Sequence, residues 1–195
     1  YRVNIYRQRG TIAMALRAIP LNVPSFGDLR LPKSIQTLAE QERGLVLCVG
    51  AAGNGKSTTL AAMVNHINET RRGHVVTIED PIEYMHQDKL AAVSQREIGL
   101  DTTSFATALR SALRQDPDVI LVGEIRDEET MDIALKAAET GHLVLSTLHT
   151  PDVSRTIGRV LALSGKSDTS ETRERFADNL KGVVAQRLLP TADGK

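Results

Sequence analysis

The 195-residue chain carries 24 basic and 24 acidic residues, so its total charge offers nothing to hold nucleic acid or an anionic membrane surface. Three Phe, three Tyr and no Trp leave too few rings for a base-stacking platform, and a single cysteine excludes both an internal disulfide and a cysteine-rich zinc site. No run approaches the roughly 20 apolar residues of a membrane span and no signal peptide is visible, so the expectation is a cytosolic protein with one well-cored domain plus the remnant of another.

Tyr1, Val3 and Ile5 alternate with Arg2 and Asn4, and after Arg7-Gln8-Arg9-Gly10 the apolar Ile12, Met14 and Leu16 alternate again, which predicts a hairpin. Two strands alone are not stable. Residues 1–19 are therefore expected to be the end of a smaller amino-terminal domain, in a chain that reads as cut at both ends. Pro20, Pro24 and Pro32 punctuate a stretch of little periodicity, which makes 20–33 a linker.

From Ser34 helical and apolar-strand patterns alternate, which assigns 34–195 to an α/β core with a mostly parallel sheet covered on both faces. A helix is expected over 34–42 and strands over 45–49, 74–78, 119–122 and 143–148, with a further short strand at 91–94. Phe105, Ala108, Leu109 and Ala112 form a helix stripe that Asp116-Pro117 closes. Asp127 reads as the N-cap of a helix stopped by Gly141, and Thr150-Pro151 as the opening of the next. After a polar loop at 165–170, Phe176, Leu180, Val183, Val184 and Leu188 keep the spacing of a last helix.

Between the first core strand and the helix bearing Leu60, Met63, Val64 and Ile67 stands Gly50-Ala51-Ala52-Gly53-Asn54-Gly55-Lys56-Ser57, a Walker A phosphate-binding loop at every fixed position. Glycines let main-chain N–H groups converge on an anion at the positive end of the new helix. Lys56 would reach the β and γ phosphates and Ser57 would ligate Mg2+, with Thr58 following in the nucleotide-binding set. Cys48, in the strand before the loop, reads as a small core residue.

In sheets of this kind ligands gather beyond the carboxyl ends of the strands. Glu124 stands there as a Walker B acid, although Gly123 replaces the usual aspartate, so one carboxylate remains to reach the metal through water. Glu79, Asp80 and Glu83 form a second acidic group, presented by Pro81. Any of the three can orient an attacking water, and spacing alone does not choose among them or against a solvated loop. His149 and His142 flank the last core strand, His149 as a γ-phosphate sensor or a structural residue and His142 more readily as the latter. Arg110 and Arg114 share a helix face and read as solvated or as a subunit contact.

The loop with Thr58-Thr59-Leu60, the box Thr77-Ile78-Glu79-Asp80-Pro81-Ile82-Glu83, the box from Asp118 to Asp127, and Gly141-His142 through Thr147-Leu148-His149-Thr150 resemble, in order and spacing, the secretion-superfamily ATPases. The likeness is greatest to the type IV pilus retraction ATPases, the PilT family, and Gly182-Val183-Val184-Ala185-Gln186-Arg187-Leu188 strengthens it. The resemblance implies a RecA-like core preceded by an α+β domain, a homo-hexamer with ATP between subunits, and an inner-membrane platform protein as partner at the cytoplasmic face. It assigns Glu83 as the catalytic carboxylate, Glu124 as the atypical Walker B acid, and His149 with His142 as a histidine box. Arg2 and Arg17 match arginines that reach the nucleotide from the smaller domain. Ala51-Ala52 and Asn54 depart from the usual loop, and 164–171 departs from the usual surface element. Rival readings are a pilus-extension or type II secretion ATPase, a nucleic-acid translocase and a regulatory ATP binder. The missing paired-cysteine element argues against the secretion reading, and the composition against the translocase.

Overall fold

Residues 1–20, 22–164 and 170–190 are described by the computed structural model, and its architecture follows from where apolar strands alternate with helices. Strands β1 (Arg2–Gln8) and β2 (Thr11–Arg17) form an antiparallel pair. Their two-residue turn has Arg9 at φ 48° and Gly10 at φ 80°, the mirror-image geometry that matches strand twist. Val3 faces Leu16 and Ile5 faces Met14 across the pair, and all four remain exposed.

Phe26 and Leu31, inside the expected linker, pack against the core, and Pro32 precedes α1 (Lys33–Ala39) without a side-chain cap. There follow β3 (Gly44–Val49), α2 (Lys56–Thr70), β4 (Gly73–Glu79), β5 (Ala91–Glu97), α3 (Phe105–Ala112), β6 (Val119–Val122), α4 (Glu128–Glu139), β7 (Leu143–Leu148), α5 (Val153–Leu163), α6 (Ser170–Asn179) and β8 (Leu180–Ala185). The six core strands lie in the order β5-β4-β6-β7-β3-β8 and every pairing is parallel. Alternate residues of β3 divide between two cores. Leu45, Leu47 and Val49 meet residues of α3 and α4, while Val46 and Cys48 meet Leu60, Met63, Val64 and Ile67 of α2. Burial on both faces explains why these strands read as continuous apolar runs.

Two expectations are corrected. The stretch from Leu180 is strand β8, not the continuation of a helix: it supplies β3 with its second neighbour, and a short apolar run fits either period. Gly182 admits it, since a Cβ there would lie 2.8 Å from a Leu38 methyl. Helix α5 is capped by Asp152, whose carboxylate accepts from the Arg155 N–H at 2.8 Å, not by Thr150, whose hydroxyl is buried against that of Thr156 at 2.6 Å. The strand expected at 91–94 runs on to Glu97, and the loop expected at 165–170 lies, but for Ser170, outside the described residues. No helix among the described residues is long and apolar enough to cross a membrane.

Candidate active site

Because all six strands run the same way, the loops after β3, β4, β6 and β7 open on one edge of the sheet. There they enclose a cleft of about 240 Å³ lined by Lys56, Ser57, Glu79, Glu83, Glu124 and His149, among others. Strand β7 separates β3 from β6. His149 therefore stands between the phosphate loop and Glu124.

The loop takes its shape from three glycines in backbone regions closed to most residues, Gly50 at φ 146°, Gly53 at 78° and Gly55 at 78°. Gly55 begins α2 without any side-chain cap, whereas Ser104, Asp127 and Asp152 cap α3, α4 and α5. The first N–H groups of α2 are thus left for an anion at the positive end of the helix dipole. Lys56 is buried, and its Nζ donates to the carbonyls of Gly50 at 2.8 Å and Ala51 at 2.9 Å. Burial lowers its pKa, with Cys48 and Glu124 acting the other way.

The segment after β8 braces this loop from behind. The Gln186 N–H extends the sheet to the Val49 carbonyl at 2.8 Å, and its side-chain oxygen accepts from the Thr59 hydroxyl at 2.9 Å. Asn54 Oδ1 accepts from the Leu188 N–H at 3.1 Å, giving the unusual asparagine a role in fixing the loop. Sequence reasoning used Gln186 only as part of a resemblance; the signal for its role is a polar residue directly after a strand that flanks β3. Burial pushes the Cys48 thiol up to about 12, so it is an inert core group.

Glu124 is nearly buried and paired with Arg126. His149 Nε2 lies 3.3 Å from Glu124 Oε2 but off hydrogen-bond geometry, which leaves that oxygen buried without a hydrogen-bond partner. The hydrogen bond to Glu124 raises the Arg126 pKa.

Of the three acids at and after the end of β4, Glu79 and Glu83 differ in surroundings. Glu79 accepts from Thr77 at 2.7 Å and Gln95 at 3.3 Å, and burial raises its pKa. Glu83 is half-exposed at the cleft, with Arg2 Nη1 3.9 Å and Arg17 Nη1 4.0 Å from its Oε1. Arg2 also donates to the Ile82 carbonyl at 2.9 Å. The hairpin thus lays both named arginines beside Glu83. Thr58 does not line the cleft itself, but its hydroxyl lies 3.1 Å from that of Tyr84, which does.

His142 is not brought to this cleft. It precedes β7 at the opposite edge of the sheet, where its Nδ1 lies 2.9 Å from the Ala137 carbonyl. Six strand residues at about 3.3 Å each separate it from His149.

Residues 15–195 match the Type II/IV secretion system protein family. The chain is 50% identical over 194 residues, all of this chain and 52% of the relative, to a twitching motility protein of Neisseria gonorrhoeae. It is 48% identical over 195 residues, all of this chain and 51% of the relative, to the type IV pilus ATPase PilU of Pseudomonas aeruginosa. The crystal structure of the pilus retraction motor PilT with bound ADP superposes with a TM-score of 0.94 at 49% identity, over 98% of this chain and 56% of that one. The chain spans about half the length of these relatives. With a phosphate loop, a strand-end acid and a strand-end histidine on one edge of a parallel sheet, and with matches of this extent, the chain belongs to the Type II/IV secretion system protein family.

Proposed function

We propose that the full-length protein is an ATP-hydrolysing motor of type IV pilus retraction, working as a homo-hexamer on an inner-membrane platform protein at the cytoplasmic face. The observation that carries the enzymatic part is the cleft itself. An anion-binding loop with Lys56, a half-exposed Glu83 and a nearly buried Glu124 line one space at the carboxyl edge of the sheet. The retraction assignment rests on the likeness to the twitching motility and pilus retraction proteins.

ATP places its triphosphate against the loop and the first turn of α2. Lys56, whose ammonium donates to the loop carbonyls of Gly50 and Ala51, swings onto the β and γ phosphates. Mg2+ fits the donors present. Ser57 lines the cleft at the start of α2, and Glu124 offers a buried oxygen without a hydrogen-bond partner, which suits a metal that keeps several waters. When bound, the ion neutralises charge on the phosphates. Glu83 orients and polarises the attacking water, and His149 reports the γ phosphate from the adjoining strand end. Arg2 and Arg17, already beside Glu83, move onto the transferring phosphoryl group, an effect worth about 10³ to 10⁵ in rate in other phosphate-loop enzymes. His142, at the opposite edge, has no part in its own subunit's cleft and belongs to any nucleotide contact only across a subunit boundary.

Steady-state ATP hydrolysis by the full-length protein, followed against protein concentration with Glu83→Gln in parallel, tests this. A rate per subunit that climbs with assembly and is abolished by Glu83→Gln while ATP still binds is the expected result. ATP binding without turnover under assembled conditions sinks the motor and leaves a regulatory binder.

A further inference from the structure

Glu83 carries a carboxylate that the core does not hold. Its side chain is 38% exposed, and its recorded ion pairs are the long ones to Arg2 and Arg17 of the hairpin. Where that carboxylate sits over the phosphate is therefore inherited from its backbone, which lies in the loop between β4 and β5. A loop of this kind is mobile unless its main-chain groups are tied down.

The ties come from the edge strand β5. Gln95 uses both ends of its amide on this loop. Nε2 donates to the Tyr84 carbonyl at 2.9 Å and to Glu79 Oε1 at 3.3 Å, while Oε1 accepts from the His86 N–H at 2.7 Å. Two residues on, and so on the same face of the strand, Glu97 Oε2 accepts from the Ile82 N–H at 3.0 Å. Strand β5 thus holds the Ile82 N–H before Glu83 and the Tyr84 carbonyl and His86 N–H after it, the last two through Gln95 alone. Gln95 also reaches Glu79, whose other oxygen lies 3.5 Å from the Glu83 N–H.

We infer that Gln95 is the positioning residue for Glu83: its amide clamps the Tyr84 carbonyl and the His86 N–H and so fixes where the Glu83 carboxylate meets the attacking water. The inference rests on the reading of Glu83 as the catalytic carboxylate. Gln95 touches neither nucleotide nor water in this role. An amide suits it where a carboxylate does not, since the site needs a donor toward Tyr84 and Glu79 and an acceptor toward His86. The clamp also differs in kind from the contacts of the hairpin. Arg2 holds the Ile82 carbonyl from the other side, and that hold ends whenever Arg2 moves to the phosphate, whereas the clamp from β5 belongs to the sheet and persists.

The test uses the full-length, assembled protein with four variants: Gln95→Ala, Gln95→Glu, Glu83→Gln and the double Glu83→Gln/Gln95→Ala. ATP affinity, steady-state kcat and single-turnover hydrolysis are measured on each. The expected result is a kcat about ten- to a hundredfold lower in Gln95→Ala with ATP affinity unchanged, the size of effect that follows a misplacement of about 1 Å. Gln95→Glu, which keeps the volume and the acceptor for His86 but sets an oxygen in place of the donor against the Tyr84 carbonyl and the Glu79 carboxylate, falls at least as far as Gln95→Ala, and it keeps the test open should the alanine variant fail to fold. In the Glu83→Gln background the single-turnover rate does not fall further on adding Gln95→Ala, because the clamp acts through a group already removed. Three results overturn the inference: an unchanged kcat in both Gln95 variants beside an inactive Glu83→Gln, the same proportional loss in both backgrounds, or a loss of ATP affinity equal to the loss of rate. A fully active Glu83→Gln brings down the reading of Glu83 and the clamp together, which separates that failure from the first three.

Discussion

The two edges of the central sheet carry similar residue types, and only one of them is built to bind. Strand β7 begins after His142 and ends before His149. At the amino edge, Glu40, Glu42, Arg43, Arg71 and Gly141 line a second, also charged, depression. There, however, polar atoms are spent on one another: Glu40 on Gln36 and His66, His142 on the Ala137 carbonyl. At the carboxyl edge polar groups are left over. Helix α2 has no side-chain cap, and Glu124 Oε2 and His86 Nδ1 are buried without hydrogen-bond partners. Unsatisfied buried groups cost free energy unless something else satisfies them, so they mark the edge that expects a ligand.

That contrast can be broken by substitution at either edge. Glu83→Gln should show the largest effect, a fall in kcat of about 10² to 10⁴ with ATP affinity kept, the range for removal of a group that handles the reacting water. Retained turnover would return the choice to Asp80 and Glu79. Lys56→Ala comes next. Two charge-assisted hydrogen bonds to phosphate, at about 1.5 kcal/mol each, predict an ATP affinity about a hundredfold weaker by equilibrium titration. An unchanged affinity would mean that Lys56 keeps its bonds to the Gly50 and Ala51 carbonyls when ATP binds.

A smaller effect concerns His86. Burial pushes its imidazole from 6.5 down to about 4, with Lys89 adding to the shift. The fold therefore holds it neutral while the unfolded chain takes up a proton below 6.5. Its contribution to stability is full above pH 6.5 and is lost progressively as pH falls toward 4. The thermal midpoint should drop across that window in the parent protein and drop less steeply in His86→Gln. Parallel slopes for the two would assign the acid sensitivity elsewhere.

Most of the carboxyl edge was legible in the chain because its signals are local. The loop between β3 and α2 is contiguous, and Asp127 caps α4 from the position that its neighbours predict, accepting from the Thr130 N–H at 2.8 Å. Where the reading failed, the deciding contact was distant. Whether Leu180–Ala185 is helix or strand depends on an open side of β3 more than 130 residues away, which no window around Val183 and Val184 contains. The clamp on the Glu83 loop was invisible for a different reason: Gln95 is near Tyr84 and His86 in sequence, but meets them only because β5 folds alongside β4. Spacing did not choose among the three acids; the resemblance named Glu83, and the fold adds a difference in burial between it and Glu79. His142 entered the site set through the resemblance alone, and the strand between it and His149 holds the two at opposite ends, so they do not share one subunit's cleft.

The smallest expected effect is thus the most discriminating. In the dilute full-length protein, His142→Ala should leave ATP affinity unchanged and cost about 1 kcal/mol of stability through the lost bond to the Ala137 carbonyl, where it helps close the turn from α4 into β7. Titration of ATP and thermal unfolding on the same sample measure both. His149→Ala, at the other end of the same strand, is the internal reference, since it lines the cleft and lies 3.3 Å from the Glu124 carboxylate. If His142→Ala weakens ATP binding by the amount seen for His149→Ala while subunits are apart, the two edges are not functionally separate, and the assignment of the site to unsatisfied groups at one edge fails. If ATP binding weakens only on assembly, His142 acts across a subunit boundary, the one route by which an amino-edge residue can reach a carboxyl-edge cleft.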